Sequence, residues 1–310
     1  MTATRAQARW SRPRSVRSWV KRGGLSALVL VLPLVLVFGV FSWFPIVRAA
    51  VMSFQTTNLI SDPVWVGLDN FQRVFADPLL LTAIRNTVYF TLLALVFGYP
   101  IPLILAACMN ELRRAKGFYS VLAYLPVVVP PVATILLWRI FYDAGPNGAF
   151  NTILSWFGLG PWPWIQSQAS AMPSLVLVAT WSAAGATVII YLAAMTSIRG
   201  ELYDAADVDG ASIPQKIWNV MLPQLRYVLL VTLILQLIGT FQVFMEPFLL
   251  TNGGPANSTL TVLLLIYRYA FGSGGTGDFG AATALSLMLA AFLALLSWIY
   301  LRATRSWSET

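Results

Sequence analysis

The chain has 310 residues, of which 58% are apolar and only 10% charged, with a formal net charge of +8. A soluble domain runs near half apolar and a quarter charged, so too little polar surface remains to cover a globule, and the soluble globular and disordered classes both fall. With no His and a single Cys (Cys108), imidazole triads, intrachain disulfides and Cys- or His-built metal sites are excluded as well.

In chain order, residues 1–24 carry Arg5, Arg9, Arg12, Arg14, Arg17, Lys21 and Arg22 without an acid and read as a basic arm beside anionic lipid headgroups. A helix crossing the hydrocarbon core needs roughly 20 apolar residues. The first charge-free window of that size, Gly23–Val47, predicts a membrane helix over residues 25–48. Its apolar run exceeds the roughly 7–15 residues of a signal-peptide core and no A-x-A-like site closes it, so it reads as a retained anchor.

Residues 49–84 then form a long outer loop, and residues 85–303 hold the rest of the membrane core. Further windows fall at Asn86–Asn110, Gly117–Trp138, Tyr227–Met245 and Phe279–Leu301. Between Asp143 and Arg199 nothing is charged, but Gly145, Pro146, Gly158, Gly160, Pro161 and Pro163 break the first half, which leaves Met172–Thr196 as the crossing. The breaker-rich part carries Trp156, Trp162 and Trp164, suited to a membrane–water boundary. Asn252-Gly253-Gly254-Pro255 marks a tight turn, and Leu260–Phe271, with Arg268, is too short to cross and reads as a re-entrant or surface half-helix. Residues 304–310 are a short tail. The expected fold class is an all-α polytopic membrane protein with six transmembrane helices.

The basic residues choose the direction. Those of the arm, together with Arg113, Arg114 and Lys116, Arg199, Lys216 and Arg226, and Arg302 and Arg305, put 15 of the 20 on one side of a six-span chain. That side is cytoplasmic by the positive-inside rule, which places both termini there and makes the net charge a topology signal rather than a nucleic-acid footprint.

One cytoplasmic connection is unusually long. Residues 197–223 read as two short helices. Glu201, Asp204, Asp207 and Asp209 flank Ala205-Ala206; Gly210 fits the position after a helix end; Ser212 and Gln215 resemble a capping box with Pro214 in the first turn; and Leu222-Pro223 ends the second helix. Leu202, Tyr203, Ala205, Ala206, Ile217 and Trp218 are too many apolar groups for so small a hairpin to bury, which points to a docking element for a cytosolic protein rather than a solvated acidic hairpin.

This segment resembles the "EAA" loop, E-A-A-x3-G-x9-I-x-L-P, of the membrane subunits of binding-protein-dependent ABC importers. It has Asp204-Ala205-Ala206, Gly210 and Val220-x-Leu222-Pro223 at the family spacing, with Asp204 for Glu and Val220 for Ile. Leu250-Thr251-Asn252-Gly253-Gly254-Pro255, Tyr267-Arg268-Tyr269-Ala270-Phe271 and Asp278-Phe279-Gly280-Ala281-Ala282 are similar to the carbohydrate-uptake branch, the maltose- and glycerol-phosphate-type permeases.

The resemblance implies a type I ABC importer permease in the bacterial cytoplasmic (inner) membrane, a transport subunit and not an enzyme. Its implied partners are a second homologous permease in a heterodimer, a cytosolic ABC ATPase dimer that binds Mg-ATP, an extracytoplasmic solute-binding protein, and a sugar or oligosaccharide. Glu201, Tyr203, Asp204, Ala205, Ala206, Asp209, Gly210, Leu222 and Pro223 would form the ATPase-coupling surface. None of Lys21, Lys116 and Lys216 precedes Ser or Thr, so this chain has no P-loop of its own, in keeping with ATP chemistry on a partner.

Polar side chains inside a span usually face the protein interior or a wet cavity. The fifth span holds Gln236, Thr240 and Gln242, and Gln236 and Thr240, four apart, share a face. Amides and hydroxyls with aromatic faces suit sugars. In the family, positions matching Gln236, Thr240 and Val243 face substrate, and Trp181 and Ser182 of the fourth span stand near the same level. The plain alternative is hydrogen bonding between helices. Glu246, before Pro247, is weak support for an ion-coupled secondary transporter acting without an ATPase. Gly272-x-Gly274-x-x-Gly277 matches a dinucleotide fingerprint but follows no strand.

Overall fold

The computed structural model describes residues 24–111, 116–272 and 277–308. The chain divides after Met52 into two compact units. The first holds helix α1, Leu25–Met52, uncharged apart from Arg48 near its end.

The second unit opens with a small antiparallel hairpin, β1 (Gln55–Thr56) and β2 (Val64–Trp65), in which Gln55 faces Trp65 and Thr56 faces Val64. Helices α2 (Asp69–Ala76) and α3 (Pro78–Glu111) follow. Asp77 caps α3, its carboxylate accepting from the Leu79 N–H at 2.8 Å, with Pro78 in the first turn where no donor is missed. Then come α4 (Lys116–Val128), α5 (Pro131–Phe141), α6 (Ala149–Ser155) and α7 (Gln168–Thr196). The chain ends through α8 (Gly200–Val208), α9 (Ile213–Phe241), α10 (Val262–Phe271) and α11 (Phe279–Ser308).

Five of these helices are long and apolar enough to cross a membrane, and a sixth crossing exists only if α4 and α5 are taken as one. The third expected span, Gly117–Trp138, is not a straight helix: its two arms meet at 97°. The cause is Pro130-Pro131, since neither residue has an N–H to donate and Val129 is pushed out of the helical region. At about 20 Å and 16 Å, neither arm alone spans a hydrocarbon core of roughly 30 Å. Pro223 corrects a second expectation. Leu222-Pro223 does not end a short helix, because the chain runs on as one helix from Ile213 to Phe241.

A π-type turn at Ile217–Met221 makes that continuity possible. The same device recurs at Gly39–Trp43 in α1 and at Ala94–Gly98 in α3, and each of the three ends two residues before a proline: Pro45, Pro100 and Pro223. A proline ring clashes with the carbonyl four residues back, and those carbonyls (Phe41, Val96 and Asn219) all sit in the middle of a widened turn.

Helix α7 is central to the second unit, packing against α3 and α4. Tyr191 of α7 is fully buried and shares a hydrogen bond with Thr232 of α9 at 2.9 Å. Tyr99 of α3 donates to the Leu229 carbonyl at 2.6 Å, tying the same three helices together.

The connecting segments are held by asparagines, Asn70 and Asn151 buried and Asn86 half-buried. Asn70 donates to the Ser53 and Gln55 carbonyls, and Asn86 to those of Asn257 and Leu260. Asn151 donates to the carbonyls of Asp143, Gly145 and Trp162 and accepts from the Trp162 N–H and the Trp164 indole. Trp164 therefore differs from the boundary role expected of it: it stacks on Tyr142, 5.4 Å between ring centres, while Trp156 and Trp162 stay exposed. The turn at Asn252-Gly253-Gly254-Pro255 is present, with Asn252 and Gly253 at positive φ, and Arg268 clamps it by donating to the Asn252 carbonyl and the Asn257 side chain.

Candidate functional site

Two features of the second unit combine the residues singled out above. The first is residues 197–223. Helix α8 ends in a Schellman arrangement: the Ala211 N–H donates to the Ala206 carbonyl at 2.9 Å and the Gly210 N–H to that of Asp207 at 3.1 Å. Gly210 has φ +72°, and its surroundings are open, with no atom within 4 Å of where a Cβ would stand. Backbone conformation, not crowding, selects glycine there. Ser212 opens α9, its N–H and hydroxyl both donating to the Gln215 side-chain oxygen. Lys216 pairs with Asp207, which locks the two helices together.

Glu201, Asp204, Ala205, Asp209, Gly210 and Pro223 are exposed, whereas Tyr203, Ala206 and Leu222 are half-buried. Val208, Ile213 and Trp218 stand 88%, 64% and 71% exposed, a larger apolar display than propensity alone would leave in water. Ile217, expected on that display, instead packs against the core cluster around Met109, Tyr191 and Met221. A cleft of about 410 Å³ separates α8 from the start of α9, lined by Leu202, Ala205, Ala206, Gly210 and Val220. Burial, and then the Glu111 carboxylate, push the Tyr203 phenol above its ordinary range, so it remains a neutral donor.

The second feature is a groove of about 560 Å³ between α3, α5, α7 and α9. Five of the six residues expected to meet substrate line it: Ser182, Gln236, Thr240, Gln242 and Val243. Trp181 does not, its ring instead meeting Trp138 edge-on at 5.6 Å. Helix α9 ends at Phe241, so Gln242 and Val243 belong to an unwound stretch that carries Glu246 into the same lining.

The groove also holds residues that the sequence reading passed over: Gly98, Thr180, Thr187 and Thr232. Thr180 and Thr187, seven apart, share one face of a charge-free helix, a signal that periodicity could have supplied. Ala94, Gly98 and Pro102, each four apart, form the α3 wall. Pro102 has no N–H, so the Gly98 carbonyl lacks its usual partner and is left as an acceptor.

The polar groups of the groove divide in two. Thr240 spends its hydroxyl proton on the Leu237 carbonyl, and Thr232 is engaged with Tyr191. Among the described residues, no hydrogen bond occupies the side chains of Thr180, Ser182, Thr187, Gln236 or Gln242. Amides and hydroxyls free to donate and accept along a cavity are the chemistry of a hydroxyl-rich ligand. No cluster of three or more His, Cys, Asp or Glu side chains suited to a metal ion occurs among the described residues.

Long apolar helices packed around a polar groove form an architecture suited to a membrane transport protein. Residues 98–308 match the family of binding-protein-dependent transport system inner membrane components, and the chain belongs to that family. It is a multi-pass protein of the bacterial inner membrane, a transport permease and not itself an enzyme. The arabinooligosaccharides transport system permease protein AraP of Halalkalibacterium halodurans is 33% identical over 275 residues, 88% of this chain and 86% of that one. A chain of the crystal structure of a bacterial ABC transporter involved in the import of the acidic polysaccharide alginate matches with a TM-score of 0.82 at 28% identity, covering 94% of this chain and 99% of that one. The alginate transporter in complex with alginate pentasaccharide-bound periplasmic protein gives the same TM-score, covering 95% and 99%. The fold is that of an ABC importer permease.

Proposed function

We propose that this chain is the membrane-spanning permease subunit of an ATP-driven importer of a sugar or oligosaccharide. It works by alternating access, coupled through residues 199–223 to a separate cytosolic ATPase that binds Mg-ATP. A second, homologous permease completes the translocation path, and a solute-binding protein delivers the sugar on the far side. The relatives support the sugar class, since their names specify arabinooligosaccharides and alginate.

The observation that carries the reading is the unbroken α9. Its first residues are part of the exposed coupling segment and its last turns hold Gln236 and Thr240 in the groove. Over 29 residues it is a rod of about 43 Å. A displacement of α8 and the α9 start by a docked ATPase is therefore delivered to the groove wall without an intervening loop to absorb it. The exposed Val208, Ile213 and Trp218 supply the apolar contact such docking needs, and Glu201, Asp204 and Asp209 of the same segment are exposed as well.

The test is reconstitution of the chain in liposomes with its paired permease, ATPase and binding protein. Oligosaccharide uptake that requires both ATP and the ATPase is the expected result. Uptake driven by an ion gradient with the ATPase left out would establish the secondary-transporter alternative instead.

A further inference from the structure

The charge inventory of the groove narrows the class of glycan it accepts, an inference that rests on the importer reading above. No Lys or Arg is among the lining residues, and the one ionisable carboxylate is Glu246. The ion pairs among the described residues are Arg73–Asp278 and Lys216–Asp207, so no described cation pairs with Glu246. A carboxylate drawn away from bulk water needs donors around it. Every hydroxyl of a neutral sugar is such a donor, and a carboxylate accepts two at once. A uronic acid brings the opposite: its own carboxylate would enter a space that holds a like charge and otherwise only amides, hydroxyls and apolar groups, with no guanidinium or ammonium to receive it.

We propose that the groove is a site for uncharged, hydroxyl-rich glycans, in which Glu246 accepts sugar hydroxyls and turns acidic sugars away. The free side chains of Thr180, Ser182, Thr187, Gln236 and Gln242 supply the remaining contacts without charge. Glu246 is thus a specificity determinant within this chain's share of the path. It acts after the binding protein has made its own selection, and its effect is separable from that selection.

The experiment reads the groove directly in the assembled importer held in lipid nanodiscs. Cys108, which lines a different cavity, is replaced (Cys108→Ser), and Ala183→Cys places a single thiol among the exposed groove residues. The rate of maleimide labelling is followed against a neutral trisaccharide and a uronate trisaccharide of equal length. With Glu246 present, the neutral sugar should slow labelling at a concentration at least tenfold below that needed by the uronate. Glu246→Gln should weaken protection by the neutral sugar and shrink the gap at least fivefold, and Glu246→Asp, which keeps the charge, should preserve it. Equal protection by both sugars in the presence of Glu246, a gap unchanged by Glu246→Gln, or protection by neither sugar would overturn the proposal. ATP-dependent oligosaccharide uptake by the same complex, alongside any of those results, would leave the importer reading standing and this one refuted.

Discussion

Residues 143–167, between α5 and α7, and residues 197–223, from the end of α7 into the first turns of α9, use their polar groups in opposite ways. In the first, one buried amide, Asn151, organises five hydrogen bonds, and Trp164, Tyr142 and Phe150 close over it as an aromatic cluster. In the second, the side-chain hydrogen bonds among the described residues stay local: Ser197 to the Ala194 carbonyl, Ser212 to Gln215, and Lys216 to Asp207. Its large apolar side chains Val208, Ile213 and Trp218 remain in the open. One segment is complete within the chain, and the other is shaped by caps and a glycine turn but left without a partner. The first loop is tied into the fold, whereas the second keeps an apolar surface in the open, where the proposed function seats an ATPase.

The comparison can be broken at its strongest point first. Asn151→Leu should remove all five hydrogen bonds of this buried amide, at a cost of at least about 3 kcal/mol, read as a large drop in thermal stability of the detergent-solubilised protein. An unchanged melting temperature would mean that the asparagine does not organise its segment. Trp218→Ala belongs to the other kind of loop. It should leave the stability of the chain nearly untouched and weaken binding of the ATPase by about 30-fold, equivalent to about 2 kcal/mol at an interface anchor. If stability fell and docking did not, the display of Trp218 would have to be explained within the chain.

A smaller effect is expected at the turn between the two helices. Gly210→Asp meets no steric obstacle, so its cost is the roughly 1 kcal/mol of a left-handed backbone. Because the strain falls on the angle between α8 and α9, the variant should insert normally and lose ATP-dependent uptake, checked by membrane yield against transport rate. The smallest effect belongs to the Lys216–Asp207 pair. With Asp207 well exposed, Asp207→Asn should shift stability by no more than about 0.5 kcal/mol in an equilibrium unfolding measurement.

Much of this arrangement is readable along the chain. Hydropathy finds the membrane helices because lipid demands long apolar runs, and the Asp204–Pro223 pattern forecasts the glycine turn at Gly210 and the Ser212–Gln215 cap because caps and turns are local chemistry. Gln236, Thr240 and Ser182 stand out as polar groups in apolar helices, and the groove gathers them. Trp181 misleads for the converse reason: an indole is equally suited to stacking on a sugar or on Trp138, and only packing decides between them. Thr180, Thr187, Gly98 and Glu246 come from different helices, Glu246 from a turn of helix beyond the break after α9, so no window of sequence unites them.

Prolines show the division most plainly. From the sequence alone each reads as a place where a helix stops or bends. At Pro130-Pro131 the chain does bend, by 97°, whereas at Pro45, Pro100 and Pro223 a π-type turn absorbs the ring and the helix continues. Local chemistry thus determined which segments are helical, which are apolar and where caps and glycine turns fall. Tertiary packing determined that α9 is a single rod from Ile213 to the groove, and which side chains share that groove, because both depend on contacts between residues far apart in the chain.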